Sequence, residues 1–304
     1  MPTLRTLAAL AAGLLWAGAA WAQPPVWVVR HGAATVTLFG SVHLLPPGLD
    51  WRPPALTTAL AHADEVWFEL PIDDATAAKA QRLARRSGAL PRGDALDKHL
   101  NAPARARLAR LAPSLGLPLQ ALQPMRPWQA EVVLSLADTA RYGASAADGV
   151  ERQVAAELPS SMRRRAFETA SQQIAFLADM PMAEQSASLE QTLAEDEAEP
   201  NLYEAIVRDW LAGDLPALER EALDPIRRQT PAVYERLIAA RNRRWAATLS
   251  RRLSGRRAIV VIVGMDHMLG SDGLPALLRR RGFSVEGPSA DAGDGSPQES
   301  GGSR

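Results

Sequence analysis

Two histidines in this chain follow apolar runs at the same distance from a glycine. The segment TVTLFGSVH ends at His43 and AIVVIVGMDH ends at His267, so each contains G-x-x-H, with Gly40 and Gly264 as the glycines. Short runs rich in Ile and Val predict strands that are buried on both faces. Glycine lets the chain turn where a side chain would obstruct it. We therefore expect both imidazoles at the carboxyl edge of one sheet, where open α/β sheets bind their ligands.

A carboxylate follows a third strand-like run. The segment EVWFEL, residues 65–70, is bulky and apolar but carries Glu69 near its end. Taken alone, Glu69 is most simply a strand-exit residue that faces water, because carboxylates are seldom buried without a partner. With His43 and His267 at the same edge, we expect instead a set of two imidazoles and one carboxylate. Such a set suits Zn²⁺, Mn²⁺, Co²⁺ or Fe²⁺.

Two chemistries are open to these three side chains. A metal ion held by three protein ligands with one open position lowers the pKa of its bound water and polarises a carbonyl. Without a metal, His and Glu act as general base and orienting acid for attack by water. The residues alone do not separate the two. Other patterns are absent, since the chain has no H-E-x-x-H, no G-x-S-x-G and no Walker or dinucleotide glycine motif.

An arginine lies on the apolar face of a predicted helix. Pro231–Ser254 has Tyr, Ile, Trp and Leu at helical spacing, which indicates a buried stripe. Arg241 and Asn242 fall within or beside that stripe. A buried arginine needs an anion. That anion is either an internal carboxylate, such as Glu69 or Glu168, or a group of the substrate, and both interpretations stay open.

The elements that must position these residues indicate one α/β domain. We expect strands over 26–30, 35–39, 65–70, 162–167, 258–263 and 282–286. Residues 74–254 are rich in Ala, Leu, Arg, Glu and Gln, with Pro and Gly breaks, which favours helices. These helices are expected over 54–62, 74–87, 103–112, 128–141, 149–157, 169–179, 183–195, 200–212, 231–254 and 274–281. The prediction is a central sheet built from the N- and C-terminal segments, with a long helical insertion at about 74–254.

Composition limits the classes of function. Among 304 residues, 34 Lys and Arg balance 34 Asp and Glu, so net charge gives no support for a nucleic-acid partner. The chain has no cysteine, which excludes disulfides, thiol catalysis and thiolate metal sites. Its hydrophobic content of 47% is enough for a sizeable core.

The two ends of the chain predict export and a disordered tail. Residues 1–22 have the features of a signal peptide, with Arg5, an apolar segment and the small-x-small end Ala20-Trp21-Ala22. We expect cleavage after Ala22 and a periplasmic or secreted protein. The alternative is an uncleaved anchor, but the apolar segment has about 13 residues against the roughly 20 that a bilayer needs. Residues 23–287 are then the folded domain, no later run predicts a membrane span, and 288–304 lack the apolar residues to order themselves.

Eight segments, in chain order, carry a resemblance to a known family. They are LFGSVHLLPPG, ALAHADEVWFEL, LDKHL, MRPWQAEVVLS, FETASQQIAFLADM, YEAIVRDWLAGDLPAL, RNRRWAATL and VGMDHMLGSDGLPALLRRRGFSVE. With this set the chain resembles the TraB/GumN family, which is related to the Tiki metalloproteases and the pheromone-shutdown proteins. The departures are small, with GMDH where the family often has GxGH and VER where GVD-like text is usual.

The resemblance implies a fold and a set of functional positions. The fold is similar to that of the haem-binding ChaN proteins and the erythromycin esterases, with the helical insertion over the ligand edge of the sheet. The implied functional positions are His43, Glu69, Arg241 and His267, supported by Glu168, Gln173 and Asn242. None of the departures from the family pattern touches a proposed ligand.

The residues and the targeting segment predict an exported, metal-dependent hydrolase, and the resemblance to the Tiki metalloproteases implies a peptide or amide bond as its substrate. The two histidines and Glu69 are the expected ligands of a divalent ion, Mn²⁺, Co²⁺ or Zn²⁺. Arg241 and the three supporting residues form the expected catalytic group. The expected partner is a peptide or small-molecule substrate, with no nucleic acid. The alternative is a non-catalytic periplasmic protein that binds a peptide, haem or another small ligand.

Overall fold

A six-stranded mixed sheet forms the centre of the molecule. The structure, a computed structural model, describes residues 23–288. The predicted signal peptide and, apart from Pro288, the predicted tail lie outside the described residues. The strands are β1 (Val26–His31), β2 (Ala34–Ser41), β3 (Glu65–Phe68), β4 (Arg163–Ala166), β5 (Ala258–Gly264) and β6 (Ser284–Glu286). Their order in the sheet is β4-β3-β5-β2-β1-β6, which confirms the predicted α/β class.

The parallel strands lie at the middle and at one edge of the sheet. β5 pairs in parallel with β2 on one side and with β3 on the other, and β3 pairs in parallel with β4. β1 is antiparallel to both β2 and β6. All of β5 after Ala258 is buried, as its Ile and Val content predicts. The N- and C-terminal segments therefore build most of the sheet, and the helical middle region adds the edge strand β4.

The helices of the structure are α1 (Pro54–Ala61), α2 (Asp74–Ser87), α3 (Ala102–Ser114), α4 (Leu119–Leu122), α5 (Pro127–Ala140), α6 (Val150–Glu157), α7 (Ala170–Ala178), α8 (Met182–Ala198), α9 (Leu202–Ala212), α10 (Leu215–Leu218), α11 (Asp224–Gln229), α12 (Pro231–Tyr234), α13 (Ala240–Leu253) and α14 (Leu274–Arg280). Helices form at every predicted span, whereas the short α4, α10 and α11 were not predicted. Local capping explains several boundaries. Asp73 accepts a hydrogen bond from the Thr76 amide at the start of α2, and Thr169 and Gln172 form a capping box at the start of α7.

The helix predicted over Pro231–Ser254 is interrupted. A π-helical turn at Glu235–Ala239 separates α12 from α13. A π turn adds a residue to the helical repeat and so shifts the face that later residues present. Arg241 and Asn242 are nevertheless buried on α13, as the apolar stripe predicts.

The core packs around the sheet and extends into the helical region. Its largest fully buried side chains include Trp27, Phe39 and Trp210. A second cluster, with Leu108 and Leu189, lies among the helices of the insertion. Within residues 23–288, no helix combines the length and the hydropathy that a membrane span needs.

Candidate functional site

The sheet brings the two G-x-x-H motifs and Glu69 to one edge. Ser41 of β2 lies opposite Gly264 of β5, so the motifs leave the sheet side by side. β3, on the other side of β5, ends just before Glu69. Nε2 of His267 lies 3.6 Å from Oε1 of Glu69, and Nε2 of His43 lies 3.9 Å from the same oxygen. Both imidazoles thus face one carboxylate.

His267 lies at the base of the site, in the 3₁₀ turn Met265–His267 that follows β5. It is buried, and its ring packs against Trp245 with centroids 4.4 Å apart. Its Nδ1 lies 2.6 Å from Oδ1 of Asn242, whose Nδ2 donates to the carbonyl of Asp272. Because the amide nitrogen of Asn242 is turned toward that carbonyl, its oxygen accepts from Nδ1–H of His267. The lone pair of His267 is therefore on Nε2.

His43 lies at the mouth of the site, with 57% of its side chain exposed. Its Nδ1 lies 2.7 Å from Oε1 of Glu151, and Oγ of Ser41 donates to the same oxygen. Glu151 is buried in the first turn of α6. The amide of Val150 donates to the carbonyl of Val42, which ties the start of this helix to the end of β2. An exposed imidazole is thus held in one orientation by a buried carboxylate.

Arg241 has no free donor. Its Nε and Nη2 donate to the two oxygens of Glu168 at 2.9 and 2.8 Å, and Nη2 also donates to Oε2 of Glu69 at 2.5 Å. Its Nη1 donates to the carbonyl of Leu237 at 2.9 Å and to Nε2 of His267 at 3.1 Å. A guanidinium has five N–H donors, and these five contacts use them all. Of the two interpretations of the buried arginine, the internal ion pair is the one present in the structure.

Glu69 is surrounded by donors. Besides Arg241, the amide of Gly264 donates to Oε1 at 2.8 Å and Nε2 of Gln173 donates to Oε2 at 3.2 Å. Burial opposes ionisation, but three positive charges outweigh it and lower the pKa of Glu69 to about 2: His267, which is protonated only in this acidic range, Arg241 and His43. At neutral pH Glu69 is therefore a carboxylate and a weak base.

The two histidines have pKa values on opposite sides of neutrality. The carboxylate of Glu151 raises the pKa of His43 to about 10. Burial lowers the pKa of His267 to about 3, against the attraction of Glu69. Burial also raises the pKa of Asp266, next to His267 in the chain, to about 6. At pH 7 His43 is an imidazolium and His267 is a neutral imidazole.

The charges of the site are negative in sum. The carboxylates of Glu69, Glu151 and Glu168 face two cations, His43 and Arg241, and Asp266, with a pKa of about 6, adds a further negative charge at pH 7. An excess of negative charge in a buried cluster is unfavourable unless a cation offsets it. A divalent ion in place of the imidazolium proton would reduce that excess, so the charge and the donor types of the site fit such an ion.

The positions of the donor atoms do not fit a metal ion as they stand. Nitrogen and oxygen ligands about 2.0–2.2 Å from a tetrahedral Zn²⁺ are roughly 3.3–3.5 Å apart. The two N–O separations to Glu69 are wider, at 3.6 and 3.9 Å. In addition, Arg241 occupies the lone pair of His267. As placed, no group of three or more His, Asp or Glu residues within the described chain could hold a metal ion.

The two motif glycines are required for different reasons. A Cβ on Gly264 would stand 3.0 Å from Nε2 of His43 and 3.3 Å from Oε1 of Glu69, inside the site. A Cβ on Gly40 would stand 2.2 Å from Sδ of Met265 and 3.0 Å from its Cα, in the packing behind the site. Gly264 therefore leaves room between candidate ligands, whereas Gly40 lets the two motifs approach each other.

Three residues of the site were not predicted from the sequence: Ser41, Glu151 and Asp266. One signal was available for Glu151, because it shares the apolar side of α6 with Val154 and Ala155 and carboxylates are rare on such a face. The remaining histidines lie elsewhere. His31 and His62 are exposed, and Nε2 of His99 lies 2.8 Å from Oδ2 of Asp94.

All seven residues predicted for the site from the sequence lie in this one cluster. In it Gln173, Glu168 and Asn242 support Glu69, Arg241 and His267, respectively.

Comparison with known proteins identifies the family. No curated protein and no solved structure matches this chain. The TraB/PrgY/gumN family matches it over residues 25–287, a span that contains the whole sheet and every residue of the site. The chain therefore belongs to the TraB/PrgY/gumN family.

Proposed function

We propose that this protein is a metal-dependent hydrolase that cleaves a peptide or amide bond at the site described above. The observation that carries the proposal is the orientation of the two imidazoles. Each is fixed through Nδ1, His43 by Glu151 and His267 by Asn242, and each turns Nε2 toward Oε1 of Glu69. Histidines that bind metals are usually held in this way by a partner on the other ring nitrogen.

In this proposal His43, Glu69 and His267 would hold a divalent ion, Mn²⁺, Co²⁺ or Zn²⁺, once Arg241 releases the lone pair of His267. When bound, such an ion activates water and polarises the carbonyl under attack. The chain's own residues supply position and charge. Glu168 holds Arg241, and Arg241 and Gln173 hold Glu69.

Arg241 has a second role in this proposal. Its Nη1 and a metal ion cannot share the lone pair of His267. With a metal ion on His267, the Nη1–H that Arg241 now donates to His267 would be free to donate to a substrate oxygen. A guanidinium donor at a developing oxyanion stabilises the transition state.

The alternative function is that of a non-catalytic periplasmic binder. The observation that favours it is the complete pairing of Arg241, which closes the site as an internal ion-pair network. The ligand would then be a peptide, haem or another small molecule. A haem ligand would need one axial donor at an apolar slot, and the exposed candidate is Nε2 of His43, whose ring Glu151 holds through Nδ1.

The experiment that separates these functions combines metal analysis with two assays on the exported protein. The protein is purified without a His tag, analysed for bound metal, incubated with mixed peptides and titrated with haem. The hydrolase proposal expects bound Mn, Co or Zn and peptide cleavage that a chelator abolishes. Haem or peptide binding without cleavage would support the binder instead.

The proposal includes export. We expect the mature protein in the periplasm or medium, with Gln23 as its first residue after cleavage behind Ala22. N-terminal sequencing of the protein from the periplasmic fraction tests this, and an intact N-terminus in the membrane fraction would contradict it.

A further inference from the structure

A groove of about 510 Å³ lies against α6, the helix that carries Glu151. Its walls are Ile72 in the connection from β3 to α2, Asp74 at the start of α2, Arg152 on one side of α6, and Arg164 of β4. Four alanines complete the lining, two before α6 and two within it, at positions 146, 147, 155 and 156. Small side chains leave this surface open to an extended ligand.

The helix α6 contributes residues both to the groove and to the support of His43. Arg152 follows Glu151, the residue that holds His43. The alanines before α6 lead into Gly149, which packs so closely on His43 that a Cβ there would stand 1.9 Å from the His43 carbonyl oxygen. On the opposite wall, Ile72 comes three residues after Glu69. A ligand that extends from His43 along the start of α6 would reach Arg152 in this groove.

The lining carries two guanidinium groups and one carboxylate. Nη1 of Arg152 lies 3.0 Å from Oδ1 of Asp74, but 40% of the arginine side chain and 96% of the aspartate side chain are exposed. Exposed pairs of this kind contribute little and exchange readily. Arg164 donates to the carbonyl of Leu158 and is otherwise exposed. A ligand carboxylate could thus replace Asp74 at Arg152 and meet Arg164 as a second cation.

We propose that this groove is a subsite for a peptide carboxylate, either an acidic side chain or a free C-terminus. The inference rests on the proposed function for the reaction at the neighbouring site, but the binding it describes does not require cleavage. It assigns Arg152 as the group that selects the carboxylate and Asp74 as the group that competes with it.

The test measures binding and cleavage separately with three matched peptides. They are acetyl-Ala-Ala-Glu-Ala-Ala-amide, the same peptide with Gln in place of Glu, and the Gln peptide with a free C-terminal carboxylate. Binding is followed through the arginine Nε–H signals in NMR titrations, with the Arg152 signal assigned from Arg152→Ala. We expect the Glu peptide, the free-carboxylate peptide or both to bind more tightly than the neutral amide, and which of them does so identifies the source of the carboxylate.

The variants give the expected directions. Arg152→Ala should weaken binding of the preferred peptide by about five-fold, the upper range for an exposed pair. Asp74→Asn should strengthen it, because the competing carboxylate is removed. Arg110→Ala is the matched control. Arg110 is also exposed and forms an ion pair, with Glu197, but it lies on α3 and does not line the groove. It should leave the preference unchanged.

The outcomes for the two proposals differ. Equal binding of all three peptides, or a preference that survives Arg152→Ala, would overturn the subsite. Mass spectrometry of the same mixtures reports cleavage. A carboxylate preference without cleavage would support the subsite and count against the hydrolase. Cleavage without any carboxylate preference would support the hydrolase and overturn the subsite.

Discussion

Nη1 of Arg241 lies 3.1 Å from Nε2 of His267, so a guanidinium donor occupies the lone pair that a metal ligand needs. The same guanidinium is bonded to Glu69 and Glu168, and all three side chains are buried. The arginine therefore stabilises the carboxylate of the site and at the same time competes for its histidine. Whether it also acts on a substrate depends on this one contact.

The first prediction concerns the stability contributed by Arg241. Arg241→Ala leaves Glu69 and Glu168 buried without their cation, which should reduce the free energy of unfolding by about 3–5 kcal/mol. Arg243→Ala is the control, because Arg243 lies on the same helix but pairs with Glu235 in the solvent. It should cost less than about 1 kcal/mol. Urea denaturation of both variants measures the difference.

A double variant separates the two possible roles of the arginine. Adding Glu168→Gln to Arg241→Ala removes one of the stranded carboxylates and should restore part of the lost stability. If the arginine also stabilises an oxyanion, turnover should stay about one hundred-fold or more below wild type in the refolded double variant. Wild-type turnover in that variant would limit Arg241 to its structural ion pairs.

The second prediction uses the same substitution in both motifs. Gly264→Ala places a methyl group 3.0 Å from Nε2 of His43 and 3.3 Å from Oε1 of Glu69. It should lower activity and metal affinity while the melting temperature changes little. Gly40→Ala meets Met265 at 2.2 Å and should instead destabilise the fold by about 1–3 kcal/mol. A stable, fully active Gly264→Ala protein would show that the space at Gly264 is not part of the site.

Much of the site could be predicted because it is encoded locally. An apolar run, a glycine and a histidine indicate a strand end, and parallel neighbours bring such ends together. The three side chains meet because β5 lies between β2 and β3, which places His267 beside both His43 and Glu69. The buried arginine could be predicted from its helical stripe, but its simultaneous contacts with two carboxylates and a histidine depend on tertiary packing.

The parts that could not be predicted depend on how distant elements dock. Glu151 reaches His43 only because α6 is tied to the end of β2, and no local pattern encodes that docking. The π turn at Glu235–Ala239 was also missed, since its residues fit an ordinary helical stripe. Strand β4 was located approximately, but its three exposed arginines show no alternation that would place it at the sheet edge.

The third prediction tests the support of His43. Glu151→Gln keeps an acceptor for Nδ1 but removes the charge, and it should lower activity or metal affinity by about 10- to 100-fold, as the loss of such support usually does. Glu157→Gln is the matched control, because Glu157 ends the same helix and pairs with Arg52 on the surface. Equal effects of the two substitutions would rule out a specific role for Glu151.

The fourth prediction is a pH dependence of stability that arises away from the site. Burial raises the pKa of Glu131 from 4.5 to about 7, despite hydrogen bonds from Ser188 and Thr192. Between these values the unfolded chain releases the proton while the folded chain keeps it. The free energy of unfolding should therefore fall as pH rises from about 4.5 to 7 and stay level, for this group, above that range.

The variant Glu131→Gln keeps an acceptor for both hydroxyls but cannot ionise. Relative to wild type, it should gain stability with rising pH, on the order of 2 kcal/mol by pH 8. Urea titrations of both proteins at pH 5 and pH 8 measure this gain. A constant difference between the two proteins at both pH values would mean that Glu131 ionises normally in the fold.

The most direct test of the central claim is the metal content of His267→Ala beside wild type. Both proteins are purified without a His tag, loaded with Mn²⁺, Co²⁺ or Zn²⁺, dialysed and analysed by mass spectrometry for bound metal. The fold should survive the substitution, because β2, β3 and β5 owe their packing to Ile, Val and Phe. We predict stoichiometric metal in wild type and loss of both metal and peptidase activity in His267→Ala. Full metal occupancy in the alanine variant, or none in wild type, would contradict the proposed metal site.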